Sequence, residues 1–388
     1  MSEIVLNGIT WGHSRGITPL LAAAQRYSEL NPKVTINWKK RTLQEFADFP
    51  LEKLVNDYDL LIIDHPWVGC AAATNSVLPL DEYLPAAYLQ NQSGNSVGES
   101  HISYFYDNHQ WALAIDAATP AASYRADLFQ QNGAKVPDTW EELIELAKKG
   151  KVAIPSIPID SLMNFYMFCL ALGEEPFQSK EQVVSKEIGV QALQTMRDLY
   201  SLIDKKLFSC NPIAVAELMS STNDYWYCPF AYCYSNYPRT GYAKYPLTYA
   251  NLVHFGKKRL RSTIGGTGLA VSSFTKHKKE AVDFTAWVCS EECQSTFYVQ
   301  HGGQPGHLAA WTNNMANLLT NSFFHTVLPV MKSGYMRPRY NGYLHFQDHA
   351  GDPVQQYLLQ GGNPASVLKE IDRIYHHSLK GEKMSLSI

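Results

Sequence analysis

The chain has 388 residues, 45% of them hydrophobic and 18% charged, with a formal net charge of −3. At roughly 100–200 residues per domain this length calls for two or three domains, and the near-neutral balance lacks the concentrated positive footprint that nucleic-acid binding needs. No stretch approaches the ~20 apolar residues of a membrane span, so no membrane insertion is expected.

The predicted elements alternate from the start. Ile4 to Thr10 reads as a strand, and Thr18-Pro19 predicts a helix start, with Thr as N-cap and Pro at the first helical position. That helix runs to about Leu30, where Asn31-Pro32 stops it. Val34, Ile36 and Trp38 alternate as a second strand, and Leu43, Phe46, Leu51 and Leu54 suit an amphipathic helix interrupted at Pro50. The continuous apolar run in "DLLIID" marks a strand buried on both faces. Strand, helix, strand, helix, strand is the grammar of a parallel, doubly wound sheet. "WALAID" is the next strand, Thr139 and Glu142 form a capping box for a helix ending at Gly150, and "VAIPSI" reads as another short buried strand. Helices follow at 161–172 and 188–203, then a strand in "GGTGLAV" and a helix carrying Ala281, Phe284 and Val288 on one face, with another from Ser290. Asn363-Pro364 opens a last helix whose Val367, Leu368, Ile371, Ile374, Tyr375 and Leu379 form one apolar stripe.

Ligands of doubly wound sheets bind beyond the carboxyl ends of the strands, so the segments at those ends are the candidate site. The first, "TWGHSRG", offers Trp11, His13, Ser14 and Arg15 between glycines that admit close approach, ahead of a helix N-terminus that favours negative charge. After the third strand come Asp64, an acceptor for ligand hydroxyls, His65, a ligand contact or a partner for a carbonyl, and Trp67, a stacking surface. Asp116 and Thr119 either touch ligand or brace the chain at that point. In the aromatic stretch 223–242, Trp226 and Tyr227 are the candidates to reach the site, although core packing accounts for most such rings. Gly265, Gly266 and Thr267 form a further lining segment that does not satisfy GxGxxG. Arg337 and Arg339 either clamp an anion or make surface contacts. His345 and His349 have helical i,i+4 spacing beside Asp348 and Asp352, but no third ligand stands at a recognised spacing, so no metal is expected, and no cofactor either.

Three stretches carry a family resemblance. "YDLLIIDHPWVGCAAATNSVLPLDEYLP", "WALAIDAATPAASYRADLFQQNGAKVPDTWEELIELAKK" and "STIGGTGLAVSSFTKHKKEAVDFTAWVCSEECQSTFYVQHGGQPGHLAAW" resemble, in the same order, segments of the family 1 solute-binding proteins of ABC transporters. The resemblance implies an α/β, two-lobed periplasmic-binding-protein-like fold of type II, like maltose-binding protein. Each lobe would be a doubly wound sheet flanked by helices, with the ligand cleft between them. Lobe 1 would hold residues 1–115 and 264–310, lobe 2 residues 116–263 and 311–388, with hinge crossovers near 115–122, 263–268 and 303–311. The function implied is capture of a small polar solute by lobe closure. The two basic segments favour an anionic ligand, and the aromatics favour a carbohydrate. A monomer is expected, with a membrane permease as partner if the chain is exported.

Two features stand against export. No basic n-region followed by an apolar run marks the N-terminus, and seven cysteines without a CxxC read as reduced thiols, which points to the cytoplasm. A removed leader would place the protein outside it. A cytoplasmic chain would instead be a ligand sensor or an enzyme on this scaffold. Thiaminase-like enzymes share the general fold and use a cysteine nucleophile; Cys70 is the candidate here, with Cys228 behind it.

Overall fold

The computed structural model describes residues 3–42 and 51–380. Strand β1 (Ile4–Trp11), helix α1 (Ser14–Leu30), strand β2 (Val34–Arg41) and strand β3 (Leu60–Ile63) follow the predicted order. β1 pairs in parallel with both β2 and β3. Helix α1 begins at Ser14 rather than after Thr18, because His13 Nδ1 accepts the Arg15 N–H at 3.0 Å and caps it. Pro19 therefore lies inside the helix, where its missing N–H leaves the Arg15 carbonyl without its helical donor. Of the helix expected around Leu43 and Phe46, only Leu51–Leu54 is described, and it is helical; Leu43, Phe46 and Pro50 lie outside the described residues.

β4 (Leu113–Ala118) is buried throughout, and β5 (Pro120–Tyr124) starts after the single residue Thr119. Helix α2 (Trp140–Lys148) opens on the predicted capping box: Glu142 N–H donates to Thr139 Oγ1 at 3.3 Å, and Thr139 N–H donates to the Glu142 carboxylate at 3.2 Å. "VAIPSI" supplies no strand. Val152 makes one parallel bridge to Tyr227, and Pro155, having no N–H, cannot extend the ladder. Helices α3 (Pro158–Ala171) and α4 (Lys186–Tyr200), strands β6 (Tyr227–Tyr232), β7 (Thr248–Ala250) and β8 (Gly265–Val271), and helices α5 (Lys278–Val288), α6 (Tyr343–Gln360) and α7 (Pro364–Ser378) complete the frame.

Two sheets result. The first has the order β2-β1-β3-β8-β4, with β8 antiparallel to both neighbours. The second, β6-β5-β7, is antiparallel throughout, where a parallel arrangement was expected. β4 and β5 belong to different sheets, so the chain changes sheets at Thr119. The first sheet is buried on both faces: Leu60 and Ile62 enter the core with Leu20, Ile115 and Phe284, and Leu61 and Ile63 enter the opposite one with Ile9, Val68 and Trp111. A period-2 element with four apolar residues in a row can satisfy both cores only this way. The second lobe packs Phe165, Phe168, Phe230, Phe346 and Ile371 into one core, with α6 lying between α3 and α7.

Candidate functional site

The carboxyl end of β1, the end of β3, the β4–β5 junction and the end of β6 meet at one seam. His13 and Ser14 stand at its rim. Tyr242 OH lies 2.6 Å from Ser14 Oγ and 3.3 Å from His13 Nε2, and the Tyr234 ring sits edge-on to His13 at 4.6 Å. With Nδ1 accepting from Arg15 N–H, the network assigns the imidazole proton to Nε2. Burial, then the charge of Arg15, lowers the His13 pKa to about 4, so the ring is neutral near pH 7.

Arg15 is not an open cation. Its Nε donates to Asp116 Oδ2 at 2.8 Å, Nη2 donates to Asp116 Oδ1, and Nη1 donates to the Cys233 carbonyl at 2.9 Å. Its guanidinium lies 4.6 Å from the Tyr234 ring centre. Burial alone would loosen its proton; the Asp116 charge and hydrogen bonds outweigh that and raise its pKa. A second pair repeats the device. Arg337 Nη2 donates to both oxygens of Asp64 at 2.8 Å, and Nη1 donates to Gln347 Oε1 at 2.7 Å. Burial pushes the Asp64 carboxyl up, but Arg337 and the hydrogen bonds hold it below the usual carboxylate range. His65, buried beside this pair with Nδ1 3.2 Å from Asp64, is lowered to about 4 by burial and then by Arg337. The expectation of an anion drawn by two arginines is thus corrected: each already holds a carboxylate.

The other candidates are built into the frame. Thr119 Oγ1 donates to the Thr263 carbonyl at 3.0 Å, and Tyr232 OH lies 2.8 Å from Thr263 Oγ1, so these brace the sheet change. Gly265 makes room for the Tyr232 ring, and Gly266, at φ +97°, lets the backbone lie against the Asp116 carbonyl; Thr267 is buried beside them. Arg339 Nη1 donates to the carbonyls of Ile102, Ser103 and Phe105, so it ties a loop down. Trp11 and Trp67 are corrections: both are built into first-lobe cores and present no ring for stacking on a ligand. Trp226 and Tyr227 are corrections as well. β6 runs antiparallel to β5, pairing Tyr232 with Pro120 and Tyr227 with Tyr124, so it is the Tyr232 end that reaches the seam. Trp226 packs on Phe129 instead, and Tyr227 is fully buried.

Sequence reasoning missed Cys233, Tyr234, Ser235, Asn236, Tyr242, Gln304 and Asp160. Gln304 bridges the seam, donating to the Ala117 carbonyl at 2.7 Å and accepting from Ser235 N–H at 2.9 Å. Among the described residues His65 Nε2, Ser235 Oγ, Asn236 Oδ1, Thr267 Oγ1 and Asp160 Oδ2 are buried without a hydrogen-bond partner. Asp160, in the first turn of α3, is pushed up to about 8 by burial, and its charge is felt by Tyr232 and Tyr234. The turn "CYSNYP" after a strand was the available signal for the tyrosines. For Asp160 there was none. The thiols point away from nucleophilic chemistry: burial pushes Cys228 up to about 12 and Cys233 to about 11, the reverse of what a thiolate needs. Cys70 is half-buried in the helix Val68–Thr74, while the nearby His65 Nδ1 is engaged by Asp64 and Arg337.

Two lobes thus meet at a polar seam. Residues 22–310 match the family model for bacterial extracellular solute-binding proteins, and the chain belongs to that family. Solved structures agree on the two-lobed fold. A solute-binding protein of Agrobacterium radiobacter K84 in complex with ribitol is similar at a TM-score of 0.82 and 18% identity, over 97% of this chain and 99% of that one. A maltose-bound protein of T. maritima is similar at 0.81 and 18%, over 96% and 99%. The maltotriose-binding protein of Thermus thermophilus is similar at 0.78 and 19%, over 97% and 100%.

Proposed function

We propose that the chain captures a neutral, polyhydroxylated solute of the carbohydrate or polyol class between its lobes and hands it to an ABC permease. The carrying observation is the pairing of Arg15 with Asp116 and Arg337 with Asp64, which leaves hydrogen-bonding groups and tyrosine rings, but no net positive charge, to meet a ligand. Neutral hydroxyls match that set, and aromatic faces suit sugar rings. The ribitol, maltose and maltotriose bound by the similar proteins support the same class. His13, Ser14 and Tyr242 would form the rim, backed by the buried Tyr234, with Asp116, Thr267 and Gln304 on the hinge side. The lobes would divide as residues 1–118 with 264–310 and 119–263 with 311–388, the first cut falling three residues later than the 1–115 and 116–263 expected from the sequence because Asp116, Ala117 and Ala118 pair with Thr267, Gly266 and Gly265 in the first sheet, and the crossovers near 115–122, 263–268 and 303–311 would act as hinges.

Delivery to a permease places the working protein outside the cytoplasm, as for its family. The seven cysteines are compatible with that milieu: they form no disulfide among the described residues, five are buried and two are half-buried. No helix among the described residues is long and apolar enough to cross a membrane. The test is a thermal-shift series with ribitol, maltose and maltotriose against citrate and inorganic phosphate. A ligand at 100 times its dissociation constant stabilises by about 2.7 kcal/mol. A shift with a sugar or polyol is expected; a response to citrate or phosphate alone would overturn the neutral-ligand reading.

A further inference from the structure

Helix α3 opens at the seam, and its neighbour β6 gives the reason. The segment ahead of α3 lies alongside β6: Trp226 N–H donates to the Lys151 carbonyl at 2.8 Å, and Ala153 N–H donates to the Tyr227 carbonyl at 3.0 Å. The bridge between Val152 and Tyr227 is parallel. The chain leaving Val152 therefore runs the same way as β6, toward the Tyr232 end that reaches the seam. α3 starts at that end, where Ile157 supplies no side-chain cap and Pro158 has no N–H to offer.

One polar side chain of this first turn has no place in the frame. Asp160 is 6% exposed, and its Oδ2 has no hydrogen-bond partner. The polar residues around it are engaged: Ser156 Oγ donates to the Ile154 carbonyl at 2.8 Å, Ser161 Oγ to the Ser156 carbonyl at 3.2 Å, and Asn164 Nδ2 to Tyr200 OH at 2.8 Å. The groups that face Asp160 are Tyr200 of α4, Cys228 and Tyr232 of β6, and Tyr234 just beyond it, each raised in part by its charge. From α6, Gly351 packs on the Pro158 carbonyl and Gln355 Nε2 donates to the Ser156 carbonyl at 2.8 Å; neither residue titrates. No cation among the described residues acts on the acid, and burial alone pushes it up to about 8. Near pH 7 it is an uncharged carboxyl, with a proton to donate and an open acceptor. Leaving such a group buried and unbonded is costly, so something must complete it. Tyr234, which faces it, also lies against the Arg15 guanidinium, so acid and seam share a wall of tyrosines.

We propose that Asp160 is a contact for the captured solute and acts as the uncharged acid, its O–H donating to one solute oxygen while its other oxygen accepts from a solute hydroxyl, so that capture is linked to one bound proton. The inference rests on the reading of the solute as a neutral polyol or sugar, whose neighbouring hydroxyls present an acceptor and a donor side by side. The full chain and its Asp160→Asn and Asp160→Ala variants are titrated calorimetrically with ribitol, maltose and maltotriose at pH 6.5 and pH 9. Where only the protonated form binds, apparent affinity follows its population, so the native chain is expected to bind about tenfold more weakly at pH 9. Asp160→Asn keeps a donor and an acceptor, so it should bind as the native chain does at pH 6.5 and lose nothing at pH 9. Asp160→Ala should bind at least tenfold more weakly at pH 6.5. Unfolding temperatures establish that the variants are folded, and the Asn variant decides alone where the Ala variant is not. Undiminished native binding at pH 9, a fall with pH that persists in Asp160→Asn, or an unaltered affinity in Asp160→Ala would overturn the proposal and leave the solute class standing. Binding of none of the three solutes by the native chain at pH 6.5 would overturn the solute reading and this inference together.

Discussion

Removing the Asp116 carboxylate would leave the Arg15 guanidinium buried beside a half-empty set of acceptors. Breaking a buried pair from one side costs about 3–5 kcal/mol, so Asp116→Ala is expected to lower stability by that amount in chemical denaturation. The double variant with Arg15→Met should recover much of the loss, because the uncompensated charge goes too. A single-variant cost below about 1 kcal/mol would mean the pair is solvated in solution. Asp160 has a different signature. Its folded pKa, about 8, lies above the ordinary value of ~4. Between those limits the folded chain keeps a proton that the unfolded chain has lost, so stability falls as pH rises through the window and levels off above it. Asp160→Asn should remove that slope between pH 5 and pH 8 and be the more stable form at pH 9. Parallel curves for the two proteins would show that the acid is hydrated. The Asp160 burial was invisible in the sequence, where an Asp two residues after a Pro looks like an ordinary first-turn helix acid.

The elements that could be read from the sequence are those whose cause is local. The capping box of α2 needs only Thr139 and Glu142, and the apolar run of β3 needs only four residues. The start of α1 was misplaced because His13, seldom an N-cap, took the role before Thr18 could. The seam tyrosines were hidden by direction: alternation locates the faces of β6, but only the antiparallel pairing with β5 says which end reaches the seam. Close backbone approach is equally nonlocal. A Cβ on Gly69 would lie 1.8 Å from the Arg339 carbonyl oxygen, a contact between segments 270 residues apart. Gly69→Ala must therefore push the 334–342 loop away, at about 1–3 kcal/mol for forced overpacking. The Arg337–Asp64 pair should loosen with it, and amide exchange in that loop should accelerate. Unchanged exchange would place the loop elsewhere in solution.

At the scale of the whole molecule, the family fold was legible because its marker segments occur in order, whereas the choice between an anionic and a carbohydrate-like ligand stayed open, since charge counted along a chain does not show which charges cancel in space. The proposed closure would rest on small polar contacts at the rim. Tyr242→Phe deletes the hydroxyl that meets Ser14 and His13. At about 1 kcal/mol for such a contact, the open form should gain roughly fivefold over the closed one. The radius of gyration of the ligand-free protein in X-ray scattering should rise accordingly, and an unchanged radius would show that other contacts hold the rim.

The placement of β8 also governs how the molecule comes into being. Residues 265–271 fill the gap between β3 and β4, so the first sheet has no continuous middle until nearly seven-tenths of the polypeptide has left the ribosome. Until then β3 and β4 present bare, apolar edges of the kind that recruit other strands. The N-terminal lobe is the first to be started, yet its sheet cannot close until β8 has been made. A nascent chain halted before Gly265 should be captured by chaperones or aggregate, and one released past Val271 should become protease-resistant.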